Sequence, residues 1–253
     1  MKKPRQAHIR LTVCLLSGCI LTDPTYGQKK PNFDEIVTKF IQKVEDDSQY
    51  MGNNYSHQEF EIDEEIKNGI VSDVQRKLFQ VEKRGNDLYK KLLARNEIPV
   101  TDTEFQKKKE IVSVGAKLLG RFEFHYERTE IIGGEKCWVF SFKPRGNLPE
   151  KTREDRALNQ LAGEAWIVQE TLSFRKLVAR LLSEVKYEVA EIGSGGKIHR
   201  ADCTVGTKTI DGRFAIDYVQ VEYVASGRLI FIPIVNKHMI KKVYYRNYER
   251  RIK

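Results

Sequence analysis

The chain has 253 residues, of which 44 are Lys or Arg and 35 are Asp or Glu, so its formal net charge is +9. Hydrophobic residues make up 40% and charged residues 31%, which excludes a polytopic membrane protein, a collagen and a disordered tail. The basic residues are spread among acidic ones, so their surplus predicts a solvated surface and no nucleic-acid partner.

The first residues are typical of an export signal. Met1–Arg10 is basic and lacks acidic residues, Leu11–Leu21 is almost unbroken apolar sequence, and Asp23-Pro24 ends that run. The run is far shorter than the roughly 20 residues that a membrane-spanning helix needs, so the pattern predicts a cleaved signal peptide.

Two cleavage sites fit this signal. Small residues precede Gln28, and cleavage after Gly27 would remove a signal peptide of residues 1–27 and release a soluble periplasmic protein. Alternatively, Leu16-Ser17-Gly18-Cys19 resembles the bacterial lipobox, in which case the signal is residues 1–18 and Cys19 carries lipid. In that case the protein would be associated with a membrane.

Beyond the signal, the cysteines are Cys137 and Cys203. In an oxidising compartment such a pair can form a disulfide, which is one interpretation. The other is that both are unpaired and buried as small hydrophobic residues. Neither cysteine has a second ligand at C-x-x-C spacing, so no metal site is predicted.

The first half of the mature chain reads as a helix followed by paired strands. Apolar residues recur at three- and four-residue steps over Asn32–Val44, which predicts an amphipathic helix ending in the acidic and glycine-containing sequence that follows. Asn68-Gly69 is typical of a tight hairpin turn, which would join the predicted strands on either side of it. The strands predicted here are Tyr55–Ile66, Ile70–Val81 and Asp87–Arg95. A capping box at Thr101 predicts a charged helix over Thr101–Ala116.

The second half reads as a succession of strands interrupted by the polar segment Pro144–Leu161. About ten strands in total, with only two helices, predict a mainly β protein built on an antiparallel sheet, in one domain over residues 28–253. The strands predicted here are Arg121–Ile132, Glu135–Lys143, Gly163–Glu170, Ser173–Leu182, Glu184–Ile192, Ile198–Thr207, Phe214–Tyr223, Arg228–Val235 and Met239–Tyr248.

Catalytic patterns are missing from the sequence. Gly193–Lys197 lacks the first glycine and the final hydroxyl of a phosphate-binding loop, and no G-x-S-x-G string marks a nucleophile. The sequence therefore nominates no catalytic residue, metal ligand or cofactor, and we expect a protein that is not an enzyme.

Apolar side chains alternate along several predicted strands. Trp138 and Phe140 share one strand face, and Trp166 and Val168 share a face of another. These residues could simply pack against helices. Alternatively, a curved sheet of about ten strands would leave a cavity for acyl chains, whose burial contributes about 0.8 kcal/mol per methylene.

The order of these elements resembles the outer-membrane lipoprotein-sorting superfamily, whose members include the carrier LolA and its acceptor LolB. The strings that carry the resemblance are Tyr89–Asn96, Leu118–Phe124, Gly134–Pro144 and Gly163–Val168. The resemblance implies an incomplete β barrel, in which a strongly curved antiparallel sheet has helices over its concave side and holds lipid or lipoprotein acyl chains between them.

The resemblance also implies site residues. The predicted helix Asn32–Val44 would lie in the mouth of the barrel, and no residue matches the carrier's gating arginine. In the family's sorting logic, Ile20 after a lipidated Cys19 would favour the outer membrane. The segment Thr101–Lys117 departs from the carrier pattern. Candidates for lining a lipid cavity are Phe40, Trp138, Phe140, Trp166, Val168, Phe174 and Leu177.

The sequence therefore predicts an exported, non-enzymatic lipid- or lipoprotein-binding protein of the bacterial envelope, periplasmic or anchored to the outer membrane. Its expected partners are lipid or lipoprotein acyl chains and envelope proteins. Two alternatives remain open. One is an envelope sensor or assembly factor that binds a protein segment with the same fold, and the other is a secreted hydrolase.

Overall fold

The computed structural model describes residues 31–85, 87–101, 103–108, 116–146, 148–150, 153–189, 194–229 and 232–251. The predicted signal peptide, both cleavage sites and Cys19 lie outside these residues. Of the helices that the structure describes, none combines the length and the apolar character that a bilayer crossing requires.

Thirteen strands of the described chain form one antiparallel sheet. Across the sheet the order is β4-β3-β2-β1-β13-β12-β11-β9-β8-β7-β6, with β10 paired to β11 and β5 to β3. The strands are β1 (Tyr55–Lys67), β2 (Ile70–Arg84), β3 (Asp87–Arg95), β4 (Ile98–Pro99), β5 (Gln106–Lys108), β6 (Phe122–Ile132), β7 (Glu135–Pro144), β8 (Leu161–Val168), β9 (Phe174–Leu181), β10 (Val185–Val189), β11 (Ser194–Ile210), β12 (Arg213–Leu229) and β13 (Ile232–Arg250).

The sheet is open, because its terminal strands β4 and β6 do not pair with each other. This arrangement confirms the predicted mainly β fold and its incomplete barrel. The helices of the described chain are α1 (Phe33–Asn54), α2 (Ala116–Leu119) and α3 (Arg153–Leu158).

Helix α1 begins as predicted and ends later than predicted. The Asn32 side chain accepts a hydrogen bond of 3.4 Å from the backbone N–H of Glu35, which caps the first turn. The helix does not end at Val44 but continues to Asn54. Asp47 lies in this continuation, where it is buried against the sheet and is not part of a solvated acidic end.

Helix α1 covers one face of the sheet, which we call the inner face. Phe40 and Val44 of α1 pack there against Phe140 and Phe174, and α2 contributes Leu119 to the same cluster. We call the opposite side of the sheet the outer face.

The two ends of α1 contact distant strands. At its start, the Phe33 ring stacks on Tyr126 of β6 with centroids 4.1 Å apart. Near its end, the Arg251 guanidinium donates to the carbonyl of Gly52 at 2.7 Å and also to that of Lys83 on β2. The helix therefore runs across the strands of the sheet.

The helix predicted over Thr101–Ala116 is wrong for residues 101 and 103–108, whereas Ala116 is the first residue of α2. Residues 106–108 form β5, which pairs with β3, and residues 109–115 lie outside the described residues. Thr103 donates its hydroxyl hydrogen bond to the carbonyl of Leu92 at 2.5 Å. The edge of β3 beyond its short pairing with β4 thus offers this segment backbone partners that outweigh its local helix signals.

Two further differences concern element boundaries. The strands predicted at Arg228–Val235 and Met239–Tyr248 are in fact the end of β12 and the single long strand β13. The polar segment predicted between β7 and β8 contains helix α3. Both differences follow from pairing with distant strands and packing, which local patterns do not show.

Candidate functional site: an amphipathic cavity

A cavity of about 670 Å³ lies on the inner face beside the C-terminal half of α1. Ser48 and Met51 of α1 line it, together with residues of β1, β2, β3, β5, β11, β12 and β13. Its lining divides into an apolar wall and a charged wall, which different strands supply.

The apolar wall comes mainly from β11, β12 and β13. Val219 of β12 is opposite Val205 of β11 on one side and Val243 of β13 on the other, so three valines lie side by side across three strands. Phe214 and Ile216 of β12 extend this wall towards α1. Since β-branched and aromatic side chains pack well on a pleated sheet, the strand-forming residues themselves create this surface.

The charged wall is centred on two glutamates of β1. Glu61 accepts a hydrogen bond from Lys90 of β3 at 3.1 Å with one oxygen and from Lys241 of β13 at 2.9 Å with the other. Glu59 also accepts a hydrogen bond from Lys90, and His57 Nε2 lies 3.3 Å from its Oε1. Strands that are distant in the sequence thus converge on one charged cluster.

Burial controls the electrostatics of this cluster. The side chains of Glu59 and Glu61 are only 6% and 10% exposed. Burial by itself would raise the pKa of Glu59, but the hydrogen bond from His57 and the charge of Lys90 outweigh it and lower that pKa. Burial would likewise raise the pKa of Glu61, but the hydrogen bond from Lys241 and the nearby lysine charges outweigh it. The pKa of Glu61 is therefore also lowered.

The pKa of Lys241 depends on the same balance between burial and ion pairing. Burial would lower the pKa of Lys241, but its hydrogen bond to Glu61 and the nearby carboxylates raise that pKa. The Glu59 and Glu61 carboxylates and the Lys241 ammonium group are therefore charged at neutral pH. A paired cluster of fixed charges of this kind can orient a polar or charged group of a ligand.

The cavity holds no recognisable metal site. Within the described part of the chain, no group of three or more His, Cys, Asp or Glu side chains is arranged to hold a metal ion. The arrangement offers instead an apolar surface next to fixed charges.

The predicted lipid-lining residues lie elsewhere. Phe40, Phe140 and Phe174 are buried in the core cluster under the N-terminal part of α1, and Trp138 and Leu177 pack against that cluster. These side chains fill the space in which a ligand was predicted. None of them lines the cavity.

Trp166 and Val168 are on the outer face. In the pairing of β7 with β8, Val139 is opposite Trp166 and Cys137 is opposite Val168, and these four residues form one buried cluster. Grouping Trp166 and Val168 with Trp138 was therefore wrong, because adjacent residues of a strand point to opposite faces. Trp166 also donates its indole N–H to Glu130 at 2.7 Å.

The two cysteines are both free, so the disulfide interpretation does not hold in this structure. Cys137 belongs to the outer-face cluster, whereas Cys203 packs against the inner-face core and lines the cavity. The sheet itself therefore separates the two sulfur atoms. The alternative interpretation, two unpaired and largely buried thiols, describes them correctly.

The charged wall was not predicted from the sequence. Its signal was the alternation of His57, Glu59, Glu61 and Asp63, which places ionisable side chains on one face of a strand that lies between other strands. Such a face would be expected to be apolar if it only packed against a core. Lys90 and Lys241 had no comparable signal, because their partners are 29 and 180 residues away.

No protein-family model and no curated protein sequence matches the chain. Solved structures do resemble it at low identity. A DUF1329 family protein from Desulfovibrio piger has 8% identity and a TM-score of 0.39, and it covers 85% of this chain and 92% of its own. A LolA superfamily protein from Nitrosomonas europaea has 10% identity and a TM-score of 0.35, covering 87% and 94%.

A third solved structure is a putative outer membrane lipoprotein-sorting protein domain from Vibrio parahaemolyticus. It has 7% identity and a TM-score of 0.39, and it covers 85% of this chain and 93% of its own. With TM-scores below 0.5, what supports a function is the chain's own open sheet and amphipathic cavity.

Proposed function

We propose that this protein binds acyl chains, as an exported, non-enzymatic lipid- or lipoprotein-binding protein of the bacterial envelope. The observation that carries the proposal is the cavity of about 670 Å³ with its apolar wall. Pockets for small ligands are typically about 300–1,000 Å³ and mostly apolar, with a few polar groups that orient the ligand.

The energetics favour reversible holding. Each methylene moved from water to the apolar wall contributes about 0.8 kcal/mol, so a long chain gains several kcal/mol from burial. Binding also loses translational and rotational freedom and orders the chain, which offsets part of that gain. An acyl chain would thus be held firmly enough to be carried and could still be released.

A cavity-filling substitution tests the proposal directly. The variant Val219→Phe enlarges a side chain in the middle of the apolar wall. Val224→Phe makes the same change on the same strand, but its strand position places it on the outer face. The full chain is expressed with its own signal, purified and titrated with a fluorescent fatty-acyl probe, and lipids retained from the cell are identified by mass spectrometry.

We expect the wild type and Val224→Phe to bind the probe equally and Val219→Phe to bind it at least about tenfold more weakly. Absence of probe binding and of retained lipid in the wild type would overturn the proposal. Equal binding by both variants would show that the ligand does not occupy this cavity.

Export and anchoring are a separate part of the proposal and are supported by the signal sequence. If Cys19 is lipidated, Cys19→Ser should move the protein from the membrane fraction to the soluble periplasmic fraction. If cleavage follows Gly27, the fractionation of Cys19→Ser should equal that of the wild type. Mass spectrometry of the mature N-terminus distinguishes the two, and retention of an uncleaved chain in the cytoplasm would contradict both.

A further inference from the structure

The charged wall indicates what kind of ligand the cavity accepts. Of its described lining residues, Lys90, Lys108 and Lys241 are cationic, and Glu59 and Glu61 are anionic. The described lining therefore contains one more lysine than glutamate. A ligand whose chain lies on the apolar wall would bring its headgroup near these charges.

The pairing of the charged side chains indicates the sign of that headgroup. Each of the four carboxylate oxygens of Glu59 and Glu61 already has a nitrogen partner, from Lys90, Lys241 or His57. An ammonium group has three donors. Within the described residues, Lys90 donates to two carboxylates, and Lys241 donates to Glu61 and lies 3.7 Å from Asp63.

Every carboxylate oxygen of Glu59 and Glu61 therefore already has a lysine or histidine partner, whereas Lys241 keeps donors that no described carboxylate within 3.5 Å takes up. A ligand that accepts hydrogen bonds and carries negative charge would use those donors. A cationic headgroup would instead meet carboxylates that already have cationic partners. Partial burial strengthens this selectivity, because water screens the charges less than it does at an open surface.

Resting on the acyl-chain binding proposed above, we propose that the cavity selects an anionic single-chain amphiphile whose carboxylate or phosphate group pairs with Lys90 and Lys241. The cavity volume is that of a site for one drug-sized ligand, which suits one chain. Carboxylate and phosphate share the required chemistry, a compact anion with several acceptor oxygens.

The test compares ligands with one chain length and different headgroups. Hexadecanoate, hexadecyl phosphate, hexadecanol and hexadecyltrimethylammonium are titrated at pH 8, below their micelle concentrations, by displacement of the fluorescent acyl probe from the full chain. We expect the anions to bind at least about tenfold more tightly than the alcohol, and the cation to bind most weakly. The ratio between the two anions identifies the preferred headgroup.

A matched pair of variants tests the role of the lysine. Lys241→Gln removes an ammonium group that lines the cavity. Lys242→Gln removes the ammonium group of the next residue, which is 3.0 Å from Glu64 and does not line the cavity. We expect Lys241→Gln to reduce hexadecanoate affinity about tenfold with little change for hexadecanol, and Lys242→Gln to change neither. If Lys241→Gln does not fold, the wild-type ratio of hexadecanoate to hexadecanol still decides the question.

The outcomes separate the two proposals. If all four ligands bind with equal affinity, or if the cation binds best, the anionic-headgroup proposal is overturned while acyl-chain binding stands. If none of the four displaces the probe and the probe itself does not bind, both proposals are overturned.

Discussion

The carboxylate of Asp47 on α1 accepts a hydrogen bond of 3.1 Å from the backbone N–H of Phe214 on β12. Its other oxygen accepts one of 2.9 Å from Arg213, and Lys43 donates to the carboxylate at 2.9 Å from the preceding turn of α1. A fully buried carboxylate requires such donors. The hydrogen bonds from Arg213 and Phe214 connect the second half of α1 to β12, the strand that supplies much of the apolar wall.

Asp47→Ala is expected to destabilise the protein by about 3 kcal/mol, because it removes a buried charge that has several donors and leaves those donors unpaired. Chemical denaturation measures the change. The control is Asp46→Ala, whose side chain is exposed on the same helix, and its effect should stay within about 0.5 kcal/mol. Equal effects of the two variants would show that the Asp47 contacts do not stabilise the fold.

Gly163→Ala should prevent stable folding. A Cβ atom at Gly163 would lie 1.8 Å from the carbonyl oxygen of Val178 on the neighbouring strand, a backbone atom that cannot move without displacing β9. Gly146→Ala is the control, because a Cβ atom there meets nothing within 4 Å. Circular dichroism and thermal unfolding of both variants check this, and a Gly163→Ala variant as stable as Gly146→Ala would contradict the close packing of β8 on β9.

Trp166→Ala should lower the free energy of unfolding by about 3–5 kcal/mol, the usual cost of truncating a buried aromatic side chain. It should leave the affinity for the acyl probe unchanged, because Trp166 is on the outer face. Denaturant titration and probe binding are measured on the same preparation. Loss of probe binding without loss of stability would instead place the ligand against Trp166, as the sequence pattern predicted.

The charged wall should make the free energy of unfolding depend on pH in the acidic range. The pKa values of Glu59 and Glu61 are lower in the folded protein than the ordinary value of 4.5. Their contribution is therefore complete above pH about 4.5 and is lost as the pH falls through the lowered values, because the unfolded chain binds protons first.

The double variant Glu59→Gln, Glu61→Gln should show a smaller loss of stability between pH 5 and pH 3 than the wild type. Glu249→Gln, at an exposed position of β13, should retain the wild-type dependence. Denaturant unfolding at a series of pH values provides the comparison. An unchanged acid dependence in the double variant would show that these two carboxylates do not determine it.

Cys203 should react slowly in the folded protein. Burial raises the pKa of its thiol to about 11, so only about one thiol in 1,000 is ionised at pH 8. Iodoacetamide labelling followed by peptide mapping should show slow modification that speeds up with pH and becomes rapid in denaturant. A Cys137–Cys203 linked peptide under non-reducing conditions would contradict the free thiols.

Several parts of the fold could be predicted because short-range chemistry controls them. The β1–β2 hairpin turns through Asn68 and Gly69, both of which have positive φ angles, 52° and 77°. Such a turn depends on the two residues themselves. The helix start at Asn32 likewise depends on one side chain and the next turn of backbone.

Other parts could not be predicted, because they depend on strand register. Whether Trp166 shares a face with Trp138 or with Cys137 is decided by the pairing of β7 with β8, and a shift of one residue would exchange the faces. The C-terminal end of α1 could not be predicted for a related reason. Asp47 accepts a hydrogen bond from Phe214 of β12, which lies 167 residues further along the chain.

The amino-acid sequence by itself determined that this is a mainly β protein with an amphipathic first helix and tight hairpins, since alternation, capping and turn residues act over a few positions. Only the tertiary structure decided where the cavity lies and what lines it. Lys90 and Lys241 meet Glu61 because β3 and β13 lie on either side of the β1–β2 hairpin strands, and that neighbourhood exists only once the whole sheet is assembled.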